Sequence, residues 1–216
     1  MNKLILIAIL IDISIAQNIG MYENDGKPFS GLYFNYDEEE EADATLENFS
    51  MGFSYVLDTN LELFTKYELI ESKDKTDATL DFDIDGLSFG GYYHIKENNE
   101  IPFNLKFGGI YGEAEASANW LKELSSSISS SASGFGGGIY KKAFQSNNST
   151  IYTFYNILFI SNITKTSGYV NSEESSKYRS SSFGIGFRSG NLIFTPSVQN
   201  NDGNSSLSLN FGILFP

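Results

Sequence analysis

A period-two alternation runs through most of this chain. In residues 206–215, Leu207, Leu209, Phe211, Ile213 and Phe215 occupy one set of alternate positions, and Ser206, Ser208, Asn210 and Gly212 the other. Phe49, Met51, Phe53, Tyr55 and Leu57 alternate in the same way with Ser50, Gly52 and Ser54. Ile101, Phe103, Leu105, Phe107 and Tyr111 alternate with Asn104, Lys106, Gly108 and Gly112. Leu87, Phe89, Tyr93 and Ile95 do so with Ser88, Gly90 and His94, as do Phe183, Ile185 and Phe187 with Ser182, Gly184, Gly186 and Arg188. Successive side chains of a strand point to opposite faces, so each segment reads as a strand with one bulky apolar face and one small or polar face.

The chemistry of the second face decides between two kinds of sheet. A soluble sandwich or barrel turns its bulky face inward and covers the outside with long charged side chains. Here the second face is mostly Gly, Ser and Asn. A narrow lumen accommodates small residues, while lipid accommodates Leu, Ile, Phe and Tyr. The pattern predicts a closed antiparallel up-and-down transmembrane β-barrel, apolar outside and polar inside. The high aromatic fraction, 15%, is nearly all Phe and Tyr, residues that favour strands.

Connection lengths give a second, independent reading. About ten strands are expected, eight being the smaller alternative, beginning near Leu32, Ser50, Leu61, Leu87, Ile101, Gly134, Ile151, Ser182, Leu192 and Ser206. Tight polar turns fall at residues 58–60, 96–100, 145–149 and 189–191, and longer polar segments at 37–45, 71–79, 113–131 and 164–180. Short and long alternate, as in outer-membrane barrels with short periplasmic turns and long external loops. The segment 199–204 departs from the alternation, being a short turn where a long loop is expected. Around Asp85-Gly86 the apolar parity changes, from Leu80, Phe82 and Ile84 to Leu87 and Phe89. Either a glycine-assisted β-bulge restores the register there, or the fourth strand starts at Gly86.

Residues 1–16 have the pattern of a secretory signal: Lys3, an apolar run from Leu4 to Ile11, and Ser14-Ile15-Ala16 before a cleavage point, leaving residues 17–216 as the barrel domain. Asp12 interrupts the apolar run. No later segment has the apolar length of a membrane helix. The absence of Cys excludes disulfides and thiolate chemistry, and a formal charge of -13 argues against nucleic acid as a partner. No cofactor is expected.

On this pattern the chain resembles the small outer-membrane β-barrel proteins of Gram-negative bacteria, the outer membrane protein A-like and opacity-type porin superfamily. The resemblance spans residues 17–216 as a pattern and is sharpest in the last strand, where Leu207, Leu209, Phe211, Gly212 and Phe215 look like the strand that the barrel-assembly machinery recognises. Pro216 departs from it, since such chains usually end on the aromatic itself. The resemblance implies an outer-membrane location, contact with outer-membrane lipid and, with an even strand count, both termini in the periplasm.

Candidate chemistry is sparse. Parity directs Glu62, Lys66, Glu68, His94, Lys106 and Arg188 into the lumen. They are expected to fill it as an ion-pair network, because buried charges need partners. A polar constriction in a small passive pore is the alternative. No enzyme is expected: His94 is the only His and belongs near the periplasmic turn, whereas omptin-type barrel proteases carry their Asp and His residues at the external mouth. The acidic run from Asp37 to Asp43 offers hard oxygen ligands to divalent cations such as Ca²⁺, but without EF-hand spacing it reads first as a solvated loop. Residues 113–124 have helical character, with Ala116, Trp120 and Leu124 at four-residue spacing, ahead of a Ser-rich run. A structural or surface-interaction role is expected, with an adhesin or receptor acting through the long loops as a further reading.

Overall fold

The computed structural model describes residues 29–40, 44–57, 60–76, 81–168 and 171–215. The expected signal sequence, its cleavage point and Pro216 lie outside them. Ten strands follow in order: β1 (Phe29–Glu40), β2 (Ala44–Leu57), β3 (Leu61–Asp74), β4 (Phe82–Ile95), β5 (Asn104–Ser117), β6 (Ser127–Gln145), β7 (Ser149–Ser167), β8 (Ser172–Ser189), β9 (Leu192–Asn201) and β10 (Asn204–Phe215). Each pairs antiparallel with the next, and β10 closes on β1 in a register running from Ser30 opposite Phe215 to Glu38 opposite Leu207. Closure leaves the sheet without an edge strand, as an apolar-faced sheet requires. One short helix, α1 (Asn119–Glu123), lies between β5 and β6.

Burial alternates residue by residue along the strands. Phe49, Met51, Phe53, Tyr55 and Leu57 are exposed on β2, Leu87, Phe89 and Tyr93 on β4, and Phe183, Ile185 and Phe187 on β8. From residue 49 to residue 57 the chain climbs ~26 Å of strand, or roughly 20 Å along the axis at the usual barrel tilt. That is close to the apolar band of ~25 Å that barrels present to lipid. Tilted aromatic pairs tie the belt together, Phe89 with Tyr111 at 5.4 Å and Phe194 with Phe211 at 4.7 Å between ring centroids.

The expected long loops are corrected: most of their length is strand. β1 continues to Glu40, β3 to Asp74, β5 to Ser117 and β7 to Ser167, while β6 starts at Ser127 and β8 at Ser172. These extensions are polar on their outer face, so the alternation that marks the belt is lost while the hydrogen-bonded ladder goes on. The wall is therefore uneven, 18 and 19 residues tall at β8 and β7 but 10 at β9. The short connection between β9 and β10 is the turn Asp202-Gly203, whose two φ angles are both positive, 46° and 111°. Two-residue hairpin turns with that backbone match strand twist, and Gly adopts it without strain.

Neither reading of Asp85-Gly86 survives. β4 begins at Phe82, and its register against β3 runs unshifted from Ile70 opposite Ile84 to Lys66 opposite Ser88. Phe82 and Ile84 point inward and Asp83 and Asp85 outward. The strand keeps its parity; the surroundings exchange places. Below this level lipid-suited residues face out, while above it apolar residues face in and charges meet solvent. The inward group, Leu46, Ile70, Phe82, Ile84, Ala114, Ala118, Leu121 and Ile128, forms one apolar cluster with Trp120 and Ala116 packed against it. Leu121 of α1 is buried in it, whereas Leu124 is half-exposed. The helix is thus a single turn over the cluster, and the Ala116–Trp120–Leu124 spacing spans strand, helix and helix end.

Glycines allow β4 and β5, and β6 and β7, to approach closely. A Cβ on Gly108 would overlap the Gly91 carbonyl oxygen, and one on Gly136 the carbonyl oxygen of Ile157. Backbone atoms cannot swing aside as a flexible side chain can. Gly136→Ala should destabilise the barrel by about 1–3 kcal/mol, the usual cost of overpacking. Gly190→Ala, with open space around it, should show no such clash and lose only the backbone preference for its φ of 58°. Equilibrium unfolding of both variants in urea checks the contrast.

Candidate functional site

The interior divides into layers. Near the short-turn end, Glu62 of β3, His94 of β4 and Tyr140 of β6 form a buried string. Glu62 Oε2 lies 2.9 Å from His94 Nε2, and His94 Nδ1 lies 3.3 Å from the Tyr140 hydroxyl. Their strands bring them together because residue 94 sits opposite Lys106 on β5, and Asn104 of β5 sits opposite Tyr140. Lys106 Nζ stands 4.5 Å from the centroid of the Tyr92 ring, in cation–π geometry.

Farther up β3, Lys66 Nζ meets Glu68 Oε1 at 2.6 Å, with both side chains at 3% exposure or less. Asn48 Nδ2 donates to the same carboxylate oxygen at 3.5 Å. Alternate residues of one strand point to the same side, so the sequence Lys66-Tyr67-Glu68 builds the pair locally, with little loop entropy to overcome. Arg188 does not join these groups. It lies at the turn rim, partly exposed, with Nε donating to the Gly190 carbonyl at 3.2 Å. The reason is position: its strand ends one residue later, at Ser189. The expected six-residue set is therefore spread over two clusters and the rim: Glu62–His94 with Lys106 beside it, Lys66–Glu68, and Arg188 at the turn.

A second group of interior residues is apolar. Tyr33, Val56, Phe64, Tyr92, Ile110, Ala132, Leu158, Ile160, Ile193 and Leu214 make one buried cluster, with Tyr178 packed against it, so that all ten strands contribute. Its ten buried members are each at most 5% exposed. The lining of an aqueous channel would be accessible to water, and these side chains are not. Phe64 stacks on Tyr92 at 5.3 Å, and the Tyr33 ring lies over Gly212, where a Cβ would strike it. The interior is thus filled by apolar and aromatic side chains as well as by the polar ones expected. Across from the charged strands, the wall is neutral and polar, with Asn156, Ser182, Thr195, Ser197, Gln199, Ser208 and Asn210 buried. Ser208 Oγ donates to Asn35 Oδ1 at 2.7 Å across the closing seam.

Sequence reasoning left out Tyr92, Tyr140, Phe64 and Asn48. Tyr92, Phe64 and Asn48 share the parity of His94, Glu62 and Ser50, whereas Tyr140 lies on a strand that shows no clear alternation in sequence. The acidic run also reads differently in three dimensions. Asp37 points inward on β1 and is 9% exposed, while Glu38 points outward and accepts from the Tyr36 hydroxyl at 3.0 Å; residues 41–43 lie outside the described residues. Among the described residues no group of three acidic, His or Cys side chains is arranged to hold a metal ion. In the last strand Leu207, Phe211 and Phe215 are exposed on the belt, Leu209 lies with them on the outer face, and Gly212 turns inward beneath Tyr33.

The molecule is a closed ten-stranded antiparallel β-barrel with an apolar belt outside and a densely occupied interior. No family model matches its sequence, and no curated protein is detectably similar to it. Among solved structures it is similar to the transport unit of the autotransporter AIDA-I from Escherichia coli, at 12% identity and a TM-score of 0.46, over 97% of each chain. It is also similar to the translocator domain of the autotransporter NalP from Neisseria meningitidis, at 8% identity and TM-score 0.42, covering 99% of this chain and 96% of that one. With the N-terminal β-barrel domain of Pseudomonas aeruginosa OprF the identity is 11% and the TM-score 0.35, over 88% of this chain and all of the other.

Proposed function

We propose that this chain is an outer-membrane barrel that crosses the bilayer with its ten strands and keeps its lumen closed, serving a structural or surface-interaction role and no catalytic one. The exposed belt of Phe, Tyr, Leu and Ile supports the membrane reading, since a soluble protein leaves few contiguous apolar patches of that size. The observation that carries the closed lumen is the apolar cluster, buried on nine strands and completed by the partly buried Tyr178 of β8. The described ends of β1 and β10, Phe29 and Phe215, lie at the short-turn rim, which on this reading is the periplasmic side, so the taller walls and α1 face outward from the cell. The Glu62–His94–Tyr140 string is buried at the opposite rim, and its role is to hold the wall, not to meet a substrate.

Planar-bilayer recording tests the reading. Purified protein is expected to give no steady conductance at any applied voltage, and to show the heat-dependent gel shift of a folded barrel. Steady ion-selective conductance would overturn the closed lumen in favour of a small passive pore. Recovery as a soluble periplasmic protein without detergent would overturn the membrane reading altogether.

A further inference from the structure

We propose that the outer face of β6, β7 and β8 carries a binding site for a phosphorylated lipid, with the phosphate on Lys177 and Arg179 and an acyl chain along Phe135 and Phe159. The proposal rests on the membrane reading above. The two cations are alternate residues of β8, so both side chains project from the same outer face. They stand where that face changes from the apolar Phe183, Ile185 and Phe187 to polar residues, at the margin where headgroups meet the apolar band.

Strand register builds the rest of the site. Phe135 of β6, Phe159 of β7 and Arg179 of β8 lie in one row, and Ser133, Ser161 and Lys177 in the next. The Phe135 and Phe159 rings are 5.6 Å apart, and beside them the small serines leave a groove of about 650 Å³ that the two cations also line. Asp202 borders the groove too, but its Oδ1 accepts from the Arg179 backbone N–H at 3.2 Å. Neither the Lys177 ammonium nor the Arg179 guanidinium has a hydrogen-bond or ion-pair partner among the described residues, unlike Lys165 higher on the same face, which meets Glu173 at 3.5 Å.

Charge selects the occupant. The remaining outer rim is acidic, with Glu38, Glu47, Glu71, Asp83, Asp85, Glu113 and Glu115 around β1 to β5 and Lys73 held among them by Glu47 at 2.7 Å. In a chain of formal charge -13, this groove is where two uncommitted cations adjoin apolar rings. An anionic lipid satisfies both halves at once: a phosphate oxygen takes the charge-assisted bonds, with Arg able to bind in fork geometry, and the chain covers the phenyl rings.

The test refolds the full chain into phosphatidylcholine vesicles containing a minor share of phosphatidic acid. Vesicle flotation is followed by gentle solubilisation and native mass spectrometry of the retained lipid. Wild type is expected to retain phosphatidate over phosphatidylcholine by about tenfold relative to the vesicle, the worth of one or two charge-assisted contacts. Lys177→Gln/Arg179→Gln should fall to the vesicle ratio, each single variant should lie between, and Lys165→Gln should match wild type. Added inorganic phosphate should not displace the lipid. Flotation without enrichment, equal retention by the double variant, or displacement by inorganic phosphate would each overturn the lipid site and leave the membrane reading standing. A chain that does not float with vesicles overturns that reading and the site with it.

Discussion

Lys66→Met is expected to cost about 3–5 kcal/mol of barrel stability, because it leaves the Glu68 carboxylate buried without its cation. The ammonium and carboxylate are 2.6 Å apart, and neither side chain is more than 3% exposed. Asn48 remains as a donor to Glu68, but at 3.5 Å a neutral amide offsets only part of the loss. The second half of the test removes the carboxylate as well. Lys66→Met/Glu68→Leu should recover most of the stability, since an apolar pair of similar volume is often as good as a buried ion pair. Urea unfolding in liposomes reads both variants. A single-variant loss below about 1 kcal/mol, the range of solvent-exposed pairs, would mean that water reaches Glu68 and that the lumen is open at this level.

Ile84→Ala should cost about 2–5 kcal/mol, the range for truncating a large aliphatic core residue. Ile84 is 1% exposed and packs in the upper apolar cluster, so the lost methyl groups leave a cavity that strand backbones on either side cannot collapse to fill. Its neighbour Asp83 points to solvent, and Asp83→Ala should stay within ~0.5 kcal/mol. This pair of variants separates the observed continuous parity from a bulge at Asp85-Gly86. With a bulge the two sides would exchange, and the aspartate positions would carry the larger effect. The same unfolding experiment decides it.

These two sites also mark how far the sequence could be read. Strand number, strand order and the outward residues of the belt were legible because one face of each strand carries the same apolar residue class over the whole height of the belt. Glu62, Lys66, Glu68, His94 and Lys106 were legible for the same reason, as charges at inward positions. The pairing of Glu62 with His94 was not, because it depends on which inward residues of neighbouring strands share a height, and that follows from tilt and register. Arg188 was misplaced on height alone. Above the belt the rule fails, since charges lie outside and a small apolar core inside: Phe82 and Ile84 there look like belt residues and are interior ones. Serine-rich stretches such as 127–133 resemble loops by composition, yet backbone pairing holds them as strand. Inward aromatics escaped notice because residue type was weighed above parity, although Phe64 and Tyr92 sit on the inner count.

The seam between β1 and β10 bears on when such a chain becomes stable. The contact from Asn35 to Ser208 spans 173 residues of sequence, while every other strand pair joins neighbours in the chain. Hairpins can form as soon as their own residues are available, but the last ladder waits for the C-terminal strand, and contacts of such long range are the slow ones to form. Until then Phe29–Glu40 and Asn204–Phe215 are two open edges, each ready to pair with whatever strand it meets. A chain cut short before residue 204 would therefore keep nearly all of its residues and lose its cooperativity, ending as an open sheet prone to aggregation. Proteolysis during refolding should find the two terminal strands protected together and last.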